Sequence, residues 1–291
     1  MNALAFGEIL WDMIDDEHHL GGAPLNFAAH VSQCGGQSAI ISQVGADALG
    51  DRALEQAKDL RVDVRWVTRS NDDPTGTVDV FLRDGQPDYT IHEQVAYDKI
   101  RLPDIDALKQ SDYDVFYFGT LAQRSEHNSQ ILSQLLNEIQ FPHIFYDINL
   151  RKSYYSRTII ERSLKQSNIF KINDAEAATV SQLLWNKNFG LETFSKKIAE
   201  EYEIDIVIIT AAERGCFVMR RGGLVHIPGH HIQVVDAVGA GDSFSAAFMT
   251  VYLNSHDVIS AANVANQVGA FVASSRGAIP VYPKRIRELL N

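Results

Sequence analysis

Cysteine is nearly missing from this 291-residue chain; Cys34 and Cys216 are the only two. Two thiols so far apart exclude a disulfide framework and a zinc knuckle. Cationic side chains are scarce as well, with 26 Lys plus Arg against 37 Asp plus Glu and a formal charge of −11. That balance argues against nonspecific contact with nucleic acid or an anionic membrane surface. No apolar run reaches the ~18 residues a membrane-spanning helix needs. The opening "MNALAFGEILWDM" lacks a basic segment and places Glu8 and Asp12 inside its apolar run, so no signal peptide is expected. A soluble, cytoplasmic protein is the default expectation. No Gly-Lys dipeptide occurs, which removes the Walker A loop, and "HEQVA" (92–96) lacks the second His of the zinc-protease pattern. What remains is ordinary globular material, 45% hydrophobic and 22% charged, able to bury a large core.

Short apolar runs alternate with helix-like stretches. The segments 3–10, 38–44, 114–118, 143–148, 168–172 and 205–210 read as buried strands, each bounded by Gly, Pro, Asn or Asp. Helices are expected over 24–34, 47–60, 125–138, 156–167, 174–183 and 189–201. Such alternation predicts βαβ units and a parallel sheet covered on both faces, a three-layer α/β fold in a single domain spanning 1–291. Two regions depart from it. Alternation around "RDGQPD" predicts a hairpin through Asp84-Gly85, part of a small β lid from about 11–20 and 75–100, and "GCFVMRRGGLVHI" predicts another at Gly222-Gly223.

The stretch "VVDAVGAGDSFSAAF" (234–248) raises the functional question. A strand is expected in "HIQVV" before Asp236, and Phe244, Phe248 and Val251 mark the apolar stripe of a helix beginning near Gly241. Gly239, Ala240 and Gly241 then occupy a turn with free amides, an anion site aided by the helix dipole. From Gly222 through Ser275 there is no Lys or Arg, so a cation for that anion must come from elsewhere in the chain. Asp242 reads two ways: as a cap of its helix, or as a general base beside bound phosphate. A carboxylate there repels phosphate, and Ser or Asn would cap as well without that cost. "GAGDSF" also lacks the third glycine of a dinucleotide fingerprint, which disfavours a NAD-dependent oxidoreductase.

"DAVGAGDSFSAAF" resembles the C-terminal signature of the ribokinase-like (PfkB) sugar kinases, D-[ST]-x-G-A-G-D. Residues 21–50 resemble their N-terminal signature, "DINLR" (147–151) their D-x-N-x-R, and "KINDAE" (171–176) their N-x-x-E. Order and approximate spacing match over essentially the whole chain. The resemblance implies a ribokinase-like fold with a β lid and transfer of the γ-phosphoryl group of ATP to a sugar hydroxyl. It makes Asp242 the base and the amides of Gly239, Ala240 and Gly241 the stabilisers of charge in the transition state. It assigns Asp12, Gly22, Asn26 and Asp242 to the sugar, and Asn173, Thr210, Gly215, Gly239, Gly241 and Asn266 to the nucleotide. Asn173 and Glu176 would organise Mg²⁺ through water, although the same pair reads as an N-cap and its capping-box partner. Asp147, Asn149 and Arg151 are candidates for phosphate or substrate, and Asp236 for a monovalent cation such as K⁺.

Two positions depart from the family pattern. Ala237 stands where Ser or Thr follows the first Asp, and Ala212 replaces a glycine expected near the nucleotide phosphates. The segments 21–31 and 74–100 resemble the fructokinase-type branch, so fructose, phosphorylated at a primary hydroxyl, is the expected substrate. 2-Keto-3-deoxygluconate, ribose or a nucleoside such as adenosine stay open, as does a catalytically silent sugar-binding regulator. An exposed lid on which Val78, Val80 and Phe81 alternate, with the family's habit of pairing lids, implies a homodimer.

Overall fold

The computed structural model describes residues 1–14, 17–83, 86–220 and 222–290. In chain order its strands are β1 (Asn2–Phe6), β2 (Leu10–Ile14), β3 (Glu17–Gly21), β4 (Gln37–Gly45), β5 (Val62–Asp63), β6 (Val67–Ser70), β7 (Gly76–Arg83), β8 (Gln86–Ile91), β9 (Val115–Phe118), β10 (His143–Asp147), β11 (Ile169–Asn173), β12 (Ile206–Thr210), β13 (Cys216–Arg220) and β14 (Gly223–Ile227). The helices are α1 (Ala23–Gln33), α2 (Ala48–Asp59), α3 (Ile105–Lys109), α4 (Glu126–Glu138), α5 (Arg157–Lys165), α6 (Asp174–Trp185), α7 (Leu191–Tyr202), α8 (Ala240–Ser255), α9 (Val258–Ala273) and α10 (Lys284–Glu288).

The large sheet runs β14-β13-β12-β11-β10-β9-β1-β4-β5, with β6 also on β4. It is parallel except at β12/β13 and β13/β14, where the hairpin expected at Gly222-Gly223 closes one end. Alternation along each strand divides its residues between two cores. Ala3, Ala5, Val115, Tyr117, Phe145, Ile169 and Ile206 face α1, α2, α8 and α9. Leu4, Phe6, Phe116, Phe118, Tyr146, Phe170 and Val207 face α4, α5, α6 and α7. Burial on both faces is why these strands lack polar alternation in the sequence. Helix starts follow local chemistry: Asp47 accepts from the Gly50 amide at 2.8 Å, Ser156 from Ile159 at 3.2 Å and Asp257 from Ile259 at 3.0 Å.

A second sheet, β3-β2-β7-β8, stands apart on a small core of Leu10, Val78, Ile91, Val95, Tyr97 and Leu121. Its β7 and β8 pair antiparallel, while the expected turn at Asp84-Gly85 lies outside the described residues. The apolar run 3–10 is not one strand. At Gly7, φ is +144° and an added Cβ would meet Pro24 Cγ at 2.7 Å, so the chain leaves the large sheet there and resumes in the small one. Nor is "HIQVV" a strand; it is irregular and exposed, with Val234 62% accessible, and the Val235 and Asp236 amides bond the Ala273 carbonyl at the end of α9 instead of a strand. No described helix is long and apolar enough to cross a membrane.

Candidate active site

The C-terminal ends of β10, β11 and β12 and the start of α8 converge where the small sheet meets the large one. Gly239 adopts the left-handed conformation, φ 77°, as the residue before α8. A Cβ there would lie 2.2 Å from the Ala278 carbonyl oxygen, so both the backbone angle and the space require glycine. Ser243 is the first residue to bond within the helix, to the Gly239 carbonyl at 2.9 Å. The amides of Gly241 and Asp242 therefore sit in a first turn that has no intrahelical acceptor for them. The Ala240 amide differs from expectation: it turns back to the Ala237 carbonyl at 3.3 Å.

Asp242 does not cap its helix. Its Oδ2 accepts a hydrogen bond from Asn26 Nδ2 at 2.9 Å, across 216 residues of chain. The side chain is only 7% exposed, and burial, reinforced by the Asp147 charge, raises its pKa to about 6. Asn26, Lys171 and Arg151 oppose that shift. Helix α1 presents Asn26 because Pro24 starts the helix and Gly22, φ 113°, packs so closely on Glu8 that a Cβ would meet its carbonyl oxygen at 2.4 Å. Asn26 Oδ1 is buried without a partner, and so is Asn149 Nδ2 on a residue with φ 41°. An orphaned acceptor and an orphaned donor are costly unless a ligand with hydroxyl groups engages them.

Asp12, on β2, is raised above the usual carboxylate range by burial, against the pull of His19 and Arg151. Glu8 is raised to about 7, again by burial, with Arg151 opposing. Arg151 itself is exposed and acts on Glu8, Asp12 and Asp242, the three carboxylates on this side. Asp147, a candidate for phosphate or substrate, is buried among other protein groups. It is 1% exposed and held by Lys171 Nζ at 2.9 and 2.8 Å, Tyr117 Oη at 3.0 Å and Ser245 Oγ at 3.0 Å. Ser245 and Lys171 thus fix the carboxylate behind the site.

Lys171 is the residue that sequence reasoning passed over. It is 3% exposed, and its Nζ would lie 3.3 Å from a Cβ on Gly241. The signal was present: the stretch without Lys or Arg demanded a cation from elsewhere, and "KINDAE" supplied one two residues before Asn173.

Beyond the turn, a cavity of about 530 Å³ is lined by Asn173, Thr210, Gly215, Gly241, Phe244 and Asn266 among others. Phe244 and the Gly269–Ala273 stretch of α9 give it an apolar wall. Asn266 Nδ2 is engaged by the carbonyls of Ile227 and Pro228, both at 3.2 Å, so it ties α9 to the wall rather than pointing a free donor inward. Ala212 holds φ 47°, the left-handed conformation a glycine would take at less cost. A wider depression of about 800 Å³ lies at the opposite, N-terminal ends of β10–β12, where α/β folds do not place ligands.

Asn173 and Glu176 form a reciprocal capping box: the Glu176 amide donates to Asn173 Oδ1 at 2.8 Å and the Asn173 amide to Glu176 Oε2 at 3.0 Å. The Leu150 amide donates to Glu176 Oε1 at 2.7 Å. Among the described residues no three His, Cys, Asp or Glu side chains are grouped to hold a metal. Asn173 Oδ1 and both Glu176 oxygens thus already accept backbone amides, so a cation here would be met through its water shell and not by a protein cage. The Asp236 carboxylate, the candidate for a monovalent cation, accepts two backbone amides. Val238 donates to it at 3.0 Å and Gly277 at 3.2 Å, which makes it a brace of the turn.

A parallel sheet between two helical layers, a small separate sheet, and an amide turn with a buried carboxylate between them define a ribokinase-like protein. The structure of an uncharacterized sugar kinase from Pyrococcus horikoshii superposes with a TM-score of 0.85 at 25% identity, covering 100% of both chains. A fructokinase of Xylella fastidiosa with bound ATP gives 0.87 at 19% identity over 99% of this chain and 97% of that one. In sequence, Escherichia coli fructokinase is 24% identical, over 91% of this chain and 89% of its own. Residues 4–285 match the pfkB family of carbohydrate kinases, and the chain belongs to that family.

Proposed function

We propose that the protein transfers the γ-phosphoryl group of ATP to a primary hydroxyl of a small sugar, with fructose as first candidate. Asp242 carries this reading: a buried carboxylate that caps nothing and stands beside open helix-start amides. In this reading the sugar lies among Asp12, Gly22, Asn26 and Arg151, and its hydroxyls satisfy Asn26 Oδ1 and Asn149 Nδ2. Adenine and ribose occupy the cavity of about 530 Å³, with the phosphates directed toward Gly241. Asp242 accepts the hydroxyl proton as the oxygen attacks the γ-phosphorus, the bond to the β–γ bridging oxygen breaks, and ADP leaves. The Gly241 and Asp242 amides oppose the charge that accumulates on the transferring group. Asn173 and Glu176 are the residues that would hold Mg²⁺ through its waters, and the metal would offset phosphate charge. Fructokinase relatives, among them that of Escherichia coli at 24% identity, support the sugar assignment.

ADP release with ATP and Mg²⁺ across fructose, ribose, glucose, 2-keto-3-deoxygluconate and adenosine tests the reading. Saturable turnover on fructose is the expected result, and silence on all five with sugar still raising the melting temperature favours a binding protein instead. With fructose, kcat is expected to fall about tenfold per pH unit below pH about 6, as protonation removes the base. A rate independent of pH between 5 and 7 contradicts Asp242 as the base. Val78 is buried in the core of the small sheet and not on its open face; Ile14 and Phe81, 41% and 44% exposed, are what support the accompanying proposal of a homodimer, checked by sedimentation velocity.

A further inference from the structure

Helix α1 carries two buried polar side chains one turn apart. Asn26 reaches Asp242; His30, 0% exposed, faces the C-terminal segment instead. Its Nε2 lies 3.0 Å from the Ala278 carbonyl oxygen and its Nδ1 2.8 Å from Tyr282 Oη. A carbonyl only accepts, so Nε2 bears the proton, and a neutral ring then leaves Nδ1 to accept from the tyrosine. Burial pulls the ring's pKa down to about 4, which keeps that single tautomer at neutral pH. Gln33 on the same helix adds two bonds, from its Nε2 to the Pro280 carbonyl and from the Tyr282 amide to its Oε1, both 2.9 Å.

Residues 277–282 thus form a strap laid along α1. Its other contacts reach the phosphate side. The Ala278 carbonyl that receives His30 is the one packed against Gly239, and the neighbouring Gly277 amide donates to Asp236, which also holds the Val238 amide. One carbonyl therefore joins the sugar-side helix to the turn that opens α8. An apolar side chain at position 30 would pack with less desolvation but would release the strap from α1 at this point.

We propose that His30 is a positioning residue: by holding the Ala278 carbonyl it keeps the strap against Gly239 and the amide turn aimed at the transferring phosphoryl group. The part about rate rests on the kinase reading above; the part about the strap does not. A 1 Å misplacement of such donors reduces rate by up to about 10²-fold.

The test compares His30→Leu, which removes both ring bonds, with His30→Gln, whose amide nitrogen overlays Nε2 and keeps the donor to Ala278. His30→Asn keeps only an acceptor for Tyr282. In the full chain His30→Leu is expected to lower kcat about 10- to 100-fold with the sugar KM within about threefold of wild type, and His30→Gln to restore kcat to within about threefold. His30→Asn is expected to behave as His30→Leu, and it replaces that variant in the comparison if the leucine protein fails to fold. Hydrogen exchange over 236–243 provides a readout independent of turnover, and is expected to quicken in the Leu and Asn variants and not in Gln. Wild-type kcat in folded His30→Leu or His30→Asn protein, or unchanged exchange over 236–243, overturns the proposal. If the wild-type protein has no kinase activity, the functional reading fails while the exchange experiment still decides the strap.

Discussion

Asp242→Asn is expected to lower kcat by about 10²- to 10⁴-fold while the fold and sugar binding persist. Asparagine is isosteric and its Oδ1 still accepts from Asn26 Nδ2, so the contact between α1 and α8 survives. Stability supplies a second signature. The carboxylate has its pKa raised from 3.8 to about 6, so the folded protein holds the ionised form at a cost. Between those values the native state binds more protons than the unfolded chain, and this group's contribution grows as pH falls through about 6. At pH 8 the variant should therefore melt at or above the wild-type temperature, and the difference should narrow toward pH 5. Near-wild-type turnover in the variant removes Asp242 from the mechanism. A variant that melts well below wild type at pH 8 gives the residue a structural duty that its hydrogen bonds do not show.

Lys171→Met carries the second large effect. It leaves Asp147, 1% exposed, with two hydroxyl donors and no counter-charge, and the expected loss of stability is about 3–5 kcal/mol. The paired variant Lys171→Met with Asp147→Asn is expected to recover much of that loss, since a neutral amide is no longer a buried uncompensated charge. Urea melts of the two singles and the double complete the cycle. Equal destabilisation in single and double variants would show that packing, not charge, sets the role of Lys171. Removal of the lysine also takes away one of the groups that lower the pKa of Asp242. The acid limb of the rate profile in whatever folded Lys171→Met protein is obtained should accordingly move to higher pH.

Much of this was readable from local pattern. The six helices expected between residues 24 and 201 are present with ends displaced by no more than two residues, because capping residues and apolar stripes are local signals. The buried parallel strands were readable for the same reason. The turn Gly239–Gly241 and its helix were also plain from composition. What was not readable depended on neighbours remote in sequence. The run 3–10 looks uniform, yet Gly7 divides it because Pro24 lies against it. "HIQVV" has three apolar residues in five, yet its amides turn to the end of α9, remote in sequence, and it stays a loop. Asn26 and Asp242 announce themselves separately, but nothing local states that they touch. Asp147 stands at a strand end, where ligand groups are common, and its partners Tyr117, Lys171 and Ser245 all lie on other elements.

The order of the elements also bears on how the chain is made. On one face of the large sheet Ile169, Ile206, Ile208 and Val218 are buried with residues of α8 and α9, among them Phe244, Phe248, Ala265 and Val268. Every strand is translated before either of those helices. A nascent chain that has formed its sheet therefore has α1 and α2 on that face but leaves the part under α8 and α9 bare, the kind of intermediate that aggregates or recruits chaperones. Messages cut short ahead of Ala240 would yield such chains permanently, and their fate should be proteolysis instead of partial activity.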